Sequence, residues 1–341
     1  MNFKNLKKND LKVIIYILYY KYNTTKILQE YITRIYYKNN MSSKISDKLE
    51  TSVSISYTSE NIKKVRDDRL DKFYTIPSIA LECINIVGSK YEWSSWKLIV
   101  EPSAGNGSFF NQIPSDNKIG LDIEPEHPDI KKCDFFKYKP DESFNKKPIL
   151  LIGNPPFGKV SSTAIKFFNH AQEWADVIAF IIPRTFRRIS VQNKLNKYFH
   201  LVYDNDIPTN PCSFNPPMMV KCCFQIWEKR SESRTIIKLD TTHTDWDFLP
   251  FGPIDDKGQP TPPDGADFAI RAYGGKCGEI KDDEQELKTL RPKSWHWIKC
   301  KINKDVLISR FNMLDYSNSL NTARQNSMGK GELVALYDDY M

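Results

Sequence analysis

Between residues 97 and 183 four short apolar runs each end in a turn that carries polar chemistry. Lys97-Leu98-Ile99-Val100 leads into Glu101-Pro102-Ser103-Ala104-Gly105-Asn106-Gly107-Ser108-Phe109. Lys118-Ile119-Gly120-Leu121 leads into Asp122-Ile123. Pro148-Ile149-Leu150-Leu151-Ile152 leads into Gly153-Asn154-Pro155-Pro156-Phe157-Gly158, and Val177-Ile178-Ala179-Phe180-Ile181-Ile182 closes on Pro183. Runs of this length, bounded by turn residues, read as buried strands. Behind Pro77, the residues Ile79, Ala80, Cys83, Ile84 and Val87 recur at helical spacing, and a second helix is expected over about residues 162–174. Residues 219–227 read as a further strand. Strands alternating with helices predict an α/β fold, a mostly parallel sheet with helices on both faces. Ligands bind such sheets at the carboxyl ends of the strands, where every motif above lies.

At 341 residues, 40% hydrophobic and 27% charged, the chain can build a large core, and wholesale disorder is excluded. The formal charge of +7 looks like an invitation to nucleic acid, but most of it sits in one place. Residues 1–40 hold eight basic and two acidic side chains, whereas residues 41–341 hold 41 and 40. The head is also filled with Lys, Asn, Ile and Tyr, at 26 of its forty positions. Its apolar run over residues 13–20 is far short of the roughly 20 residues that span a bilayer, and no signal-peptide cleavage pattern follows. Residues 1–40 are therefore read as an extension, and Met41 as a candidate natural start. Residues 41–68 form a polar leader, 69–240 the main domain, 241–266 a Pro/Gly-rich linker or loop, and 267–341 a C-terminal accessory region. In that last region strands are expected over residues 268–271 and 295–299, and a helix over 304–313. The seven cysteines form no C-x-x-C pair and have no histidine at ligand spacing. The pattern favours reduced thiols in an intracellular protein of cytoplasm or nucleus, with no metal.

The glycine-rich turn lets backbone approach a ligand, and Asp122, 17 residues beyond Gly105, is placed to hold ribose hydroxyls. Together they point to a nucleoside-bearing cofactor at a turn expected to open a helix. Phe110 stands where a dinucleotide fingerprint has its third glycine, which disfavours a pyrophosphate site and an NAD-dependent dehydrogenase. Asn154-Pro155-Pro156-Phe157 is more specific. An exocyclic amino nitrogen on a base is a poor nucleophile, because its lone pair is delocalised into the ring. Acceptors aimed at its hydrogens favour the tetrahedral geometry that frees that pair. The Asn154 side-chain oxygen and the Pro155 carbonyl can supply them, the prolines stiffen the turn, and Phe157 can stack on an extruded base. Asn215-Pro216-Pro217-Met218 repeats the tripeptide without an apolar run before it or an aromatic after it, and reads as a loop.

These motifs, over about residues 70–230, resemble those of S-adenosylmethionine-dependent methyltransferases of the amino-methylating branch. Their order is similar to that in the gamma group of DNA adenine-N6 methyltransferases. The resemblance implies a Rossmann-like class I methyltransferase sheet with a C-terminal extension, S-adenosylmethionine as cofactor, and a nucleic-acid substrate, DNA or RNA. It implies no metal and no membrane partner, and leaves the oligomeric state open. Carried onto this sequence, it places Phe73, Tyr74 and Thr75 against the methionine portion of the cofactor. Glu101, Ser103, Ala104, Gly105 and Gly107 form the first cofactor motif. Asp122 is the ribose-binding acid, with Glu124 as second choice, and Asp134 and Phe135 read the adenine. Asn154, Pro155, Pro156 and Phe157 form the catalytic turn. Phe157 replaces the commoner tyrosine, and residues 267–341 match no known recognition domain. Methylation of a protein glutamine amide poses the same chemical problem and is the alternative enzyme reading. A non-catalytic nucleic-acid-binding protein on this fold is the other.

Five basic residues and no acids lie between Val177 and Tyr203. Arg184, Arg187, Arg188 and Lys194, following the fourth strand, are the candidate contacts to a phosphate backbone. Trp295, Trp297, Lys299 and Lys301 offer either a stacking surface or core, with core favoured.

Overall fold

A seven-stranded sheet organises residues up to about 230 in the computed structural model, which describes residues 72–144 and 148–341. The basic head, the candidate start at Met41 and the whole polar leader lie outside the described residues. In chain order the first elements are β1 (Tyr74–Thr75), α1 (Pro77–Lys90), β2 (Leu98–Glu101), β3 (Lys118–Asp122), β4 (Lys131–Lys132) and β5 (Ile149–Gly153). They are followed by α2 (Ser162–Ala171), β6 (Val177–Pro183), β7 (Phe199–Ile207), β8 (Phe214–Asn215) and β9 (Cys222–Lys229). The sheet runs β4-β3-β2-β5-β6-β9-β7. The strands from β4 to β6 are parallel, and β9 is antiparallel to both its neighbours. This is a Rossmann-like α/β sheet, as expected from the sequence.

The central strands β5 and β6 are buried along their whole length, which is why they read as unbroken apolar runs. Their alternate residues serve opposite faces. Leu150, Ile152, Ala179 and Ile181 pack under α1 with Ala80, Cys83, Ile84 and Val87. Leu151, Ile178 and Phe180 pack under α2 with Ala164, Phe167 and Phe168.

Four differences from the sequence reading have physical causes. The glycine-rich turn opens only a single 3-10 turn, Phe110–Gln112. Pro114 disfavours helical geometry at Ile113, so a helix has no room to extend. Strand β7 was not anticipated, because it lies at the sheet edge and only Phe199 and Ile207 are buried. The second Asn-Pro-Pro is led in by β8, which pairs antiparallel with β1, Tyr74 opposite Asn215. The stretch read as a linker contains β10 (Trp246–Phe248).

Strand β10 belongs to a second sheet with β11 (Phe268–Arg271), β12 (Ile280–Lys281) and β13 (Trp295–Cys300), antiparallel throughout and ordered β10-β13-β11-β12. Helices α3 (Lys304–Asn312) and α4 (Lys330–Tyr340) contribute Leu307, Phe311, Leu333, Val334 and Tyr337 to a core with Trp246, Phe268, Ile270 and Ile298. Trp295 and Trp297 are buried with Ala269 and Leu287, while Lys299 and Lys301 pair with Asp267 and Asp247. The tryptophans are therefore core, not a stacking surface. None of the seven cysteines forms a disulfide. Among the described residues no helix is long and apolar enough to cross a membrane, and no group of three or more His, Cys, Asp or Glu is placed to hold a metal.

Candidate active site

The turn after β5 holds Asn154 by contacts from two other parts of the chain. Its Nδ2 donates to the Phe73 carbonyl at 3.1 Å, and its own carbonyl accepts from the Ser103 hydroxyl at 3.1 Å. A carbonyl only accepts, so the Phe73 contact fixes which way the amide faces. The Asn154 Oδ1 is then left buried with no hydrogen-bond partner. Gly153 allows the close approach this needs: a side chain there would begin 3.1 Å from Glu101 Cγ, at a φ of +150°. Pro155 is buried, and the half-buried Phe157 ring meets Phe214 edge-on, centroids 6.4 Å apart. The strand leading into the second Asn-Pro-Pro thus packs against Phe157, and Met218 lines the same cavity. Val160 and Ser161 follow with φ of 53° and 59°, a conformation that a β-branched residue rarely holds. Val160 is 80% exposed at the rim.

The sequence-predicted cofactor residues gather at the neighbouring strand ends. Asp122 accepts from the Gly105 N–H and the Glu124 N–H, both at 2.8 Å, tying the end of β3 to the glycine-rich turn. The Tyr74 ring lies on Gly105, where a Cβ would meet Tyr74 Cε1 at 2.6 Å. The Tyr74 hydroxyl donates to Glu126, and Lys72 pairs with Glu124 at 2.9 Å. Glu101 is 3% exposed, and burial pushes its carboxyl well above the usual range, although the Phe110 N–H opposes this. Its Oε2 has no partner, nor has the buried Thr75 Oγ1. Ala104 is buried against Phe110 and Ile130. Gly107 sits at a φ of +83° and its carbonyl accepts from the Asn111 N–H.

Asp134 and Phe135 stand at the start of one short 3-10 turn. The Asp134 carboxylate caps its own 3-10 turn, accepting from the Phe136 N–H at 3.0 Å. The Phe135 ring is 2% exposed and stacks on Phe167 at 4.9 Å, so it is core and cannot present a face to a ligand. Phe136, 43% exposed, is the open aromatic at that edge.

The basic strip also needs correction. Arg184 pairs with Asp206 at 2.7 Å, and Arg187 grips Asp204 through Nε and Nη2 while reaching Asp206 at 2.8 Å. The sheet register explains why: Cys222 pairs with Pro183 and with Ile207, so Asp204 and Asp206 lie level with the turn after β6. The Asp204 carboxylate raises the Arg187 guanidinium still further above the ordinary arginine range. Arg188 reaches across to Glu332 and to Ser327 of the C-terminal region. These three guanidiniums are thus committed within the chain; Lys194 is exposed.

The Asn154–Phe157 turn lines a cavity of about 650 Å³. One side is Phe73, Asn154 to Ser161 and Met218; the other is Tyr273, Thr322, Ala323, Arg324, Gln325 and Ser327. Sequence reading missed the second wall, and no local pattern marks it, because it lies more than 110 residues from Asn154.

No family model matches the sequence, and no curated protein matches it. Among solved structures, the chain is similar to the 23S rRNA methyltransferase ErmE, at 14% identity and a TM-score of 0.35, over 47% of this chain and 71% of that one. It is also similar to magnesium protoporphyrin IX methyltransferase from Synechocystis with bound S-adenosylmethionine, at 9% identity and a TM-score of 0.33, over 45% and 79%. The fold itself is defined by the strand order described above.

Proposed function

We propose that the protein is an S-adenosylmethionine-dependent methyltransferase that modifies the exocyclic N6 amino group of adenine in DNA or RNA. The observation that carries this reading is the Asn154 amide, whose Oδ1 is buried and unpartnered while its Nδ2 is spent on Phe73. Such an acceptor suits an amino hydrogen of the target base. Holding that hydrogen, with the Pro155 carbonyl as second acceptor, draws the nitrogen toward tetrahedral geometry and makes its lone pair available. Phe157 offers the base a ring beside the turn, a contact of about 1–3 kcal/mol. An extruded nucleotide fits a cavity of this volume, whereas a duplex does not, so the base leaves its stack to react.

The residues present suit the cofactor. Asp122 would hold the ribose hydroxyls, and the unpartnered Glu101 Oε2 and Thr75 Oγ1 lie on the elements that flank the glycine-rich turn. When bound, the cofactor supplies an electrophilic methyl on a sulfonium. The chain's part is to place the amino nitrogen, hold its hydrogens and exclude water.

The test is transfer of a labelled methyl group to DNA, RNA and protein in parallel. Label in DNA or RNA supports the reading; label in protein alone supports the glutamine alternative and overturns it.

A further inference from the structure

Two residues lining the catalytic cavity carry a buried polar atom without a partner. One is Asn154; the other is Thr322, 5% exposed, whose Oγ1 has none. An unpaired buried hydroxyl is destabilising, so a fold that keeps one on a cavity wall invites an occupant to pair it. The segment carrying Thr322 is held in place from several sides. The Lys221 N–H donates to the Ala323 carbonyl at 2.8 Å, and Lys221 Nζ donates to Asn326 Oδ1 at 2.8 Å. Arg188 Nη1 donates to Ser327 Oγ at 3.1 Å. Preorganisation of this kind suits recognition. Arg324, two residues on, is exposed at the same wall and has no carboxylate partner among the described residues, unlike Arg184, Arg187 and Arg188.

We propose that residues 322–325 form the target-reading wall of the cavity: the Thr322 hydroxyl hydrogen-bonds to a ring nitrogen of the target base, and Arg324 holds a phosphate of the target strand. The inference rests on the nucleic-acid reading above. A base offering an amino donor to Asn154 and an adjacent ring acceptor to Thr322 is adenine, through N6 and N1, or cytosine, through N4 and N3. Guanine presents a carbonyl where the amino group must be. The long exposed guanidinium suits a phosphate, which carries affinity and no sequence information.

The test uses the full chain with Thr322→Val, Thr322→Ser and Arg324→Gln, assayed for methyl transfer to DNA and RNA oligonucleotides at several salt concentrations. Cofactor affinity and Tm are measured alongside. Thr322→Val is expected to lower kcat/KM about tenfold or more, with cofactor affinity unchanged and Tm unchanged or raised, because it removes an unpaired hydroxyl. Thr322→Ser should restore activity. Arg324→Gln should raise KM on every sequence and reduce the salt slope by about 1. If the wild type methylates a nucleic acid and both Thr322→Val and Arg324→Gln match it, the wall assignment is overturned while the function stands. A fall in Tm that accounts for the Thr322→Val loss also overturns it. A wild type that methylates neither polymer overturns both.

Discussion

The Asn154 side chain is oriented by the Phe73 carbonyl, which accepts from its Nδ2 at 3.1 Å across a sequence separation of 81 residues. The short segment before α1 therefore aims the Asn154 amide, and the strand pairing of Tyr74–Thr75 with Phe214–Asn215 holds that segment in place.

Removing the amide should remove chemistry and leave binding. For Asn154→Ala we expect kcat to fall by about 10²–10³, the size of effect seen when one preorganised polar contact to the reacting group is lost. Cofactor affinity, read by calorimetry, should fall far less than kcat, since on the cofactor side only the bond to the Phe73 carbonyl is lost. Near-normal turnover would remove Asn154 from the catalytic role.

Gly105→Ala should act on the cofactor side. The new Cβ would stand 2.6 Å from the Tyr74 ring, at a φ of +49° that costs an L-residue about 1–2 kcal/mol. Cofactor affinity should drop about tenfold or more and Tm should fall. Tyr74→Ala in the same chain should recover part of the Tm loss and none of the cofactor affinity, because the clash goes while the backbone strain remains and the Tyr74 ring is lost.

Arg187 and Arg188 should behave as structural residues. Arg188→Ala leaves Glu332 half-buried without its partner, and a lost partly buried charged contact costs about 1–3 kcal/mol. In a domain of this size that lowers Tm by several degrees, at about 2–4 °C per kcal/mol. The salt dependence of nucleic-acid affinity in Arg187→Ala should match the wild type, since that guanidinium already serves Asp204 and Asp206.

His296 gives the fold a defined acid limit. Its Nε2 lies 2.8 Å from the Met328 carbonyl, which only accepts, so that nitrogen carries the proton of a neutral ring. Burial pushes its pKa down from 6.5 to about 4. The unfolded chain thus takes up a proton that the folded chain refuses. Stability from this group is full above about pH 6.5 and is lost as pH falls toward 4, by on the order of 3 kcal/mol. Chemical denaturation from pH 7 to 4 should show a shallower decline in His296→Gln than in the wild type.

Much of the catalytic half was legible because its strands are central. Burial on both faces forces apolar runs at β5 and β6, and a parallel sheet puts the following turns on one edge, so Asp122 and Asn154 stand out. Strand β7 escaped because an edge strand needs few apolar residues, and with it went Asp204 and Asp206, the partners that turn an apparent phosphate strip into ion pairs. Phe135 and Phe136 are adjacent aromatics, and sequence alone does not say which one turns inward. Strand β10 hid among prolines and glycines because its partner β13 lies some fifty residues on. Thr322 has no local signature, since its position on the cavity comes from the packing of the C-terminal lobe against Lys221 and Arg188.

The proposed methylation of the adenine N6 amino group has a direct product to measure. Purified protein, incubated with cofactor and with DNA or RNA, should yield N6-methyladenine in one polymer when the product is digested to nucleosides and analysed by mass spectrometry. Asn154→Ala should yield none above background. Absence of N6-methyladenine from both polymers, under conditions where the protein binds S-adenosylmethionine, would contradict it.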